Sequence, residues 1–186
     1  QYLLSEKEVR FFVYIILYYT HMFSDPNTIV AALNIPVGAT VADLGAGTGA
    51  YSFVLAQKIG PTGKVYACDV QRELLTRLEN DALVQHITNI QTVHSNIETH
   101  QGTRLRDASV DWVMVANVLF QIEDRPGFIA EIARILKPGG SVCLVEWSES
   151  FGNIGPHEKD VIKQSDAEHF FSEKGFHATP QIIDAG

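Results

Sequence analysis

From residue 37 onward, short apolar runs alternate with longer stretches whose apolar positions recur at helical spacing. The first run, Val41-Ala42-Asp43-Leu44, breaks into alternating glycines, and residues 52–59 continue with helical spacing. Gly60-Pro61-Thr62-Gly63 is a break. Residues 64–68 predict a second buried strand closed by Asp69, and Leu74, Leu75, Leu78 and Leu83 stripe a helix from Gln71. Residues 90–94 predict a third strand, followed by Ser95-Asn96-Ile97-Glu98 and a polar loop through Gly102. Residues 110–116 predict a fourth, ending at Asn117, and residues 126–136 a helix closed by Lys137-Pro138-Gly139-Gly140. Residues 141–146 predict a fifth strand. Strand-helix units in this order predict an α/β fold with a doubly wound, mostly parallel sheet and right-handed crossovers.

The two ends read differently. Ser5-Glu6-Lys7-Glu8 has capping-box form ahead of a nearly continuous apolar run over residues 9–19, which predicts an N-terminal helix, either packed in the core or lying as a lid over a pocket. Asp25-Pro26 opens a second short helix that stops before Pro36. Residues 1–35 are thus expected to cap a single α/β domain over 36–186. Near the C-terminus, Ser165-Asp166-Ala167-Glu168 is a second capping box, opening a helix through Phe170 and Phe171 that stops at Gly175. Residues 181–184 predict a last strand.

Composition bounds the function classes. A hydrophobic fraction of 46% over 186 residues supports a real core, and a net charge of -8 with no basic stripe argues against a nucleic-acid surface. Cys68 and Cys143 fall inside apolar runs without metal or redox spacing, which fits a reduced, cytoplasmic protein. The histidines lack metal-ligand spacing, so no metal site is expected and each reads by default as solvent-exposed or satisfied in the core; His157, after the fifth strand, is the one singled out. The longest uncharged stretch, residues 11–24, is too short for a membrane span, and Thr20 and His21 interrupt it. With no initiator Met and no signal-peptide layout, the sequence is expected to begin inside its gene product.

The candidate chemistry is in Asp43-Leu44-Gly45-Ala46-Gly47-Thr48-Gly49-Ala50. Gly45, Gly47 and Ala50 satisfy the permissive G-x-G-x-x-A spacing and Asp69 follows about 20 residues on, so a dinucleotide site is open on spacing alone. Three features shift the weight. Asp43 at the strand's end suits a cationic ligand group better than a pyrophosphate. Glycines at 45, 47 and 49 favour close backbone approach over phosphate cradling. The Pro138-Gly139-Gly140 turn into a strand ending at Glu146 is a further fixed point.

On these residues the chain resembles the class I S-adenosylmethionine-dependent methyltransferases, in the style of the small-molecule and quinone C-methyltransferases, over roughly residues 26–186. The resemblance implies a Rossmann-like sheet with an antiparallel seventh strand between the fifth and sixth. With residues 181–184 as the sixth strand, the chain is expected to lack that seventh strand. It also implies S-adenosyl-L-methionine as cofactor, with Asp43 orienting the methionine ammonium and Gly45, Gly47 and Gly49 letting the backbone pass close. Asp69 would accept both ribose hydroxyls. Val70 and Ile97 would sandwich the adenine, Asn96 would meet its exocyclic amine, and the Asn117 carbonyl would approach the cofactor's amino group. Read as residues alone, Asp43 and Asp69 are also ordinary strand-end carboxylates, and Asn96 and Asn117 ordinary turn formers.

The implied reaction is in-line methyl transfer to a small, partly apolar acceptor, in which alignment supplies most of the rate. Glu146 is the candidate general base, or else a plain strand terminus. Tyr18, Tyr19, His21, Phe120 and Trp147 are the candidate acceptor pocket. The segment Asn117-Val118-Leu119-Phe120 lacks the Pro-Pro motif of enzymes that methylate nucleic-acid amines, and the two cysteines do not suit a metalloid acceptor. A quinone-like or lipid-like acceptor fits by analogy. A nicotinamide-dependent oxidoreductase and a non-catalytic S-adenosylmethionine-binding module are the alternatives.

Overall fold

A computed structural model describes residues 11–18, 25–150 and 155–178. Its elements, in chain order, are β1 (Phe11–Tyr18), α1 (Pro26–Ala32), β2 (Thr40–Leu44), α2 (Ala50–Ile59), β3 (Lys64–Asp69), α3 (Arg72–Val84), β4 (Ile90–His94), β5 (Val110–Ala116), α4 (Arg125–Ile135), β6 (Leu136–Trp147), α5 (Gln164–Ser172) and β7 (Phe176–Ala178). Short 3-10 turns occupy Leu119–Gln121 and Glu158–Asp160.

The strands lie in the order β4-β3-β2-β5-β6-β1-β7, and every pairing among the described residues is parallel. The chain reverses direction across the sheet between β2 and β5, which opens a crevice at their carboxyl ends. Both faces are covered, so the central strands are apolar throughout rather than alternating. On β5, Val113 and Val115 face a cluster with Phe128, Ile132 and Phe171, while Trp112 and Met114 face one with Ile29, Leu55 and Ile59. Asp25 caps α1 by accepting the Asn27 and Thr28 N–H groups, with Pro26 in the first turn, as its sequence predicts.

Three expectations are corrected. Residues 11–18 form a strand, not part of a helical cap: β1 pairs with β6 from Phe12↔Ser141 to Tyr18↔Trp147, so the division at residue 35 does not separate them from the sheet. A continuous run of aromatic and β-branched residues satisfies a strand buried on two sides as well as a buried helix, and periodicity cannot choose between them. The Lys137-Pro138-Gly139-Gly140 stretch, expected as a turn, lies within β6 as a register shift: Val110 pairs with Leu136 and Trp112 already with Ser141. The helix α5 is present, but Lys163 rather than Ser165 precedes it.

No antiparallel strand occurs among the described residues. The far side of β6 is taken instead by β1, which runs parallel between β6 and β7. The strand expected at 181–184 and the first capping box lie outside the described residues. No helix among them is long and apolar enough to cross a membrane.

Candidate functional site

The site forms where β2, β3 and β5 end. Asp43, near the end of β2, is 2% exposed and its Oδ2 accepts the Ser52 hydroxyl at 2.6 Å. Burial pushes its carboxyl up to about 6, against the Ser52 hydrogen bond, and the neighbouring Asp69 charge adds to the rise. The turn that follows is held by backbone groups. The Gly45 and Ala46 N–H groups donate to the Cys68 carbonyl at 2.8 and 3.0 Å, and the Gly47 N–H donates to Asp69 Oδ2 at 2.9 Å. Asp69 Oδ1 takes the Gln71 N–H at 2.8 Å, so one carboxylate ties the glycine-rich turn to the start of α3. Each of its oxygens retains acceptor capacity for a ligand hydroxyl.

The turn needs glycine. Gly45 and Gly49 have φ of 78° and 93°, in the left-handed region. A Cβ on Gly45 would enter the space held by the Val118 side chain, and one on Gly49 would meet Leu78 at 2.8 Å.

Two loops complete the walls. After β4, Asn96 Oδ1 accepts the Glu98 N–H at 3.1 Å, and Glu98 Oε2 reaches the Glu123 N–H at 3.0 Å, joining this loop to the one after β5. His94 Nε2 donates to the Val70 carbonyl at 3.0 Å. After β5, Asn117 has φ 58°; its N–H donates to the Val145 carbonyl and its own carbonyl accepts Gln121 Nε2 at 2.9 Å. Glu146, 1% exposed, turns its carboxyl onto this loop: Oε1 accepts the Val118 and Leu119 N–H groups at 3.0 and 2.6 Å. Burial raises its carboxyl to about 7, and the amides counter only part of that rise.

These walls enclose a cavity of about 400 Å³. Of the residues expected to hold a cofactor, Gly45, Gly47, Asp69, Val70, Asn96, Ile97 and Asn117 line it. Asp43 lies behind the turn and Gly49 packs on Leu78, so neither lines the cavity. Glu146, Phe120 and Trp147 do not line it either: Glu146 is spent on backbone amides, and Trp147, 6% exposed, packs in the core. Tyr18 ends β1 opposite Trp147, and Tyr19 and His21 lie outside the described residues. The Asn117 carbonyl, expected to face a ligand, is engaged by Gln121.

Sequence reasoning missed Gln71, Leu74, Glu98, Ala116, Val118, Gln121 and Ile122 in the lining. Gln71 and Leu74 follow Asp69 closely enough to have been read from it. The residues after Asn117 carry no spacing that distinguishes them from any polar-apolar loop. No lining residue is basic, while Asp69 and Glu98 are acidic. Among the described residues no ion pair reaches Asp43 or Asp69, and no group of His, Cys, Asp and Glu could hold a metal ion.

A family described as methyltransferase domain matches residues 42–144, more than half of the chain. The chain belongs to this methyltransferase domain family. The matched span of this methyltransferase domain runs from β2 into β6 and contains the whole cavity lining. It is similar to the demethylmenaquinone methyltransferase of Bacillus licheniformis, 31% identical over 122 residues, 64% of this chain and 50% of that protein. It is also similar to the ubiquinone/menaquinone biosynthesis C-methyltransferase of Hahella chejuensis, 30% identical over 133 residues, 70% of this chain and 52% of that protein. Among solved structures, an S-adenosylmethionine-dependent methyltransferase from Aquifex aeolicus superposes with a TM-score of 0.74 at 25% identity, covering 82% of this chain and 79% of that one. The methyltransferase domain spans about half the length of the curated relatives it matches.

Proposed function

We propose that this methyltransferase domain binds S-adenosylmethionine in the cavity at the ends of β2, β3 and β5 and carries out methyl transfer to a small, partly apolar acceptor. The observation that carries the reading is the electrostatics of the site: two buried carboxylates, Asp43 and Asp69, without a basic partner among the described residues, beside a lining that has no basic residue. A pyrophosphate would find no cationic side chain in that lining, whereas a ligand bearing an ammonium and a sulfonium complements the carboxylates. This separates the reading from a nicotinamide dinucleotide, which the G-x-G-x-x-A spacing alone leaves open.

When bound, S-adenosylmethionine supplies an electrophilic methyl group. The chain's own residues bind and orient. Asp69 offers acceptor oxygens already aimed by two backbone N–H groups, and Gly45 and Gly47 bring the turn's backbone to the cavity. Val70 and Ile97 offer apolar surface to a planar ring, and Asn96 keeps its amide group beside them. Asp43, behind the turn, biases the site toward a cation.

For the acceptor, the names of the relatives support a quinone-like molecule methylated at carbon. The acidic lining and the net charge of -8 stand against nucleic acid.

Calorimetric titration with S-adenosylmethionine, S-adenosylhomocysteine and NAD side by side tests the reading. Saturable binding of both adenosyl ligands and none of NAD is expected. NAD binding alone, or silence from all three, overturns it.

A further inference from the structure

A buried acid at the end of β6 stays outside the cavity, although strand ends in this kind of sheet are where ligands sit. Its neighbours explain the displacement. Glu146 Oε1 takes two consecutive backbone N–H groups, those of Val118 and Leu119, and thereby caps the 3-10 turn Leu119–Gln121, which has no side-chain cap of its own. The Leu119 carbonyl is held from the other side by Arg125 Nε at 3.3 Å. Val118, aimed by this clamp, places its side chain in the space that a Cβ on Gly45 would need. Val118 and Gln121 then form one cavity wall and Gly45 another.

We infer that Glu146 is a positioning residue: its carboxyl clamps the Val118 and Leu119 amides so that Val118 seats against Gly45, coupling the loop after β5 to the glycine-rich turn that receives the cofactor. The inference rests on the reading of the cavity as an S-adenosylmethionine site. It gives Glu146 no contact with the methyl acceptor and no proton to move. Oε1 receives the Val118 and Leu119 N–H groups, and the Phe120 and Trp147 backbone also bonds the carboxyl; a glutamine, whose amide oxygen accepts two hydrogen bonds, keeps the Val118 and Leu119 pair of the clamp. Aspartate, shorter by about 1.5 Å of chain, does not.

The test has an arm without ligand and an arm with S-adenosylhomocysteine. In amide hydrogen exchange, Val118 and Leu119 are expected to be protected in the wild type and in Glu146→Gln, and to lose protection in Glu146→Ala and Glu146→Asp. In calorimetry, Glu146→Gln is expected to bind S-adenosylhomocysteine within about threefold of wild type. Glu146→Asp, Glu146→Ala and Val118→Ala are each expected to lose about tenfold, the scale of one charged hydrogen bond. Because the two residues act in series, the double variant Glu146→Ala/Val118→Ala is expected to lose much less than the product of the single losses. Glu146→Asp and Val118→Ala carry the test if Glu146→Ala does not fold. Undiminished protection in Glu146→Asp, wild-type affinity in it, or multiplicative losses in the double variant overturn the role. A general base touching the acceptor predicts unchanged S-adenosylhomocysteine affinity in every variant, which also overturns it. Wild type that binds no S-adenosylhomocysteine sinks the cofactor reading itself, whereas wild-type binding with an unaffected Glu146→Asp sinks this role alone.

Discussion

Asp43 and Glu146 are both carboxyls that the fold drives into its interior, and both are raised by burial, from 3.8 to about 6 and from 4.5 to about 7. A carboxyl raised in this way binds its proton more tightly in the native state than in the unfolded chain. Each therefore withdraws stability as pH climbs through its own window, 3.8 to about 6 for Asp43 and 4.5 to about 7 for Glu146. Ligand affinity has the opposite sign for Asp43, because only its carboxylate attracts an ammonium. S-Adenosylhomocysteine affinity is expected to fall as pH drops below about 6 and to be flatter in Asp43→Asn, which calorimetry across pH 5 to 8 checks. Asp69 supplies hydrogen bonds. Asp69→Ala frees the Gly47 and Gln71 amides and removes the ribose acceptor, so a loss of about 1.5 to 3 kcal/mol in binding is expected by the same titration.

At the scale of elements, the walls of the cavity are loops, and each is tied down by an acid borrowed from elsewhere in the chain. Glu131 on α4 does this for the loop after β4: it accepts the Gln101 and Thr103 N–H groups, the Thr103 hydroxyl and the Arg134 guanidinium. Burial pushes this carboxyl up, but Arg134 and Thr103 outweigh it and hold the group at about 2. Its contribution is complete above 4.5 and disappears as pH falls toward 2. Glu131→Gln removes the charge from this pair while Arg134 keeps Asp107, and a loss of about 2 kcal/mol in urea unfolding at pH 7 is expected. The helices and strands themselves were legible from local pattern, since β2 to β5 and α2 to α4 fall within a residue or two of their predicted bounds. The loop acids were not. Glu131, Glu98 and Glu146 lie 28 or more, 25 and 27 or more residues from the amides they hold, and nothing in a linear pattern marks such pairs.

At the scale of the whole molecule, one side of the sheet depends on an element that local reasoning misassigned. With β1 between β6 and β7, residues 141–145 of β6 are paired on both sides. Removing residues 1–24 makes β6 an edge strand. Hydrogen exchange is expected to show loss of protection at those β6 amides that face β1, while those facing β5 keep theirs; unchanged protection would show that β1 contributes nothing to β6.

By itself the sequence determined the α/β class, the order of the units from β2 to β6, and the cluster of Asp43, Gly45, Gly47 and Asp69 at one end of the sheet. These follow from local causes: apolar runs of strand length, helical stripes, and glycines where the backbone must turn left-handed. Tertiary structure alone decided that residues 11–18 are a strand, because a uniformly apolar segment takes the conformation that its neighbours can cover. It alone decided that Glu146 faces the backbone of a loop rather than the cavity. A buried carboxyl turns to whatever donors the fold brings within reach, and those donors come together only after β5 and β6 have paired.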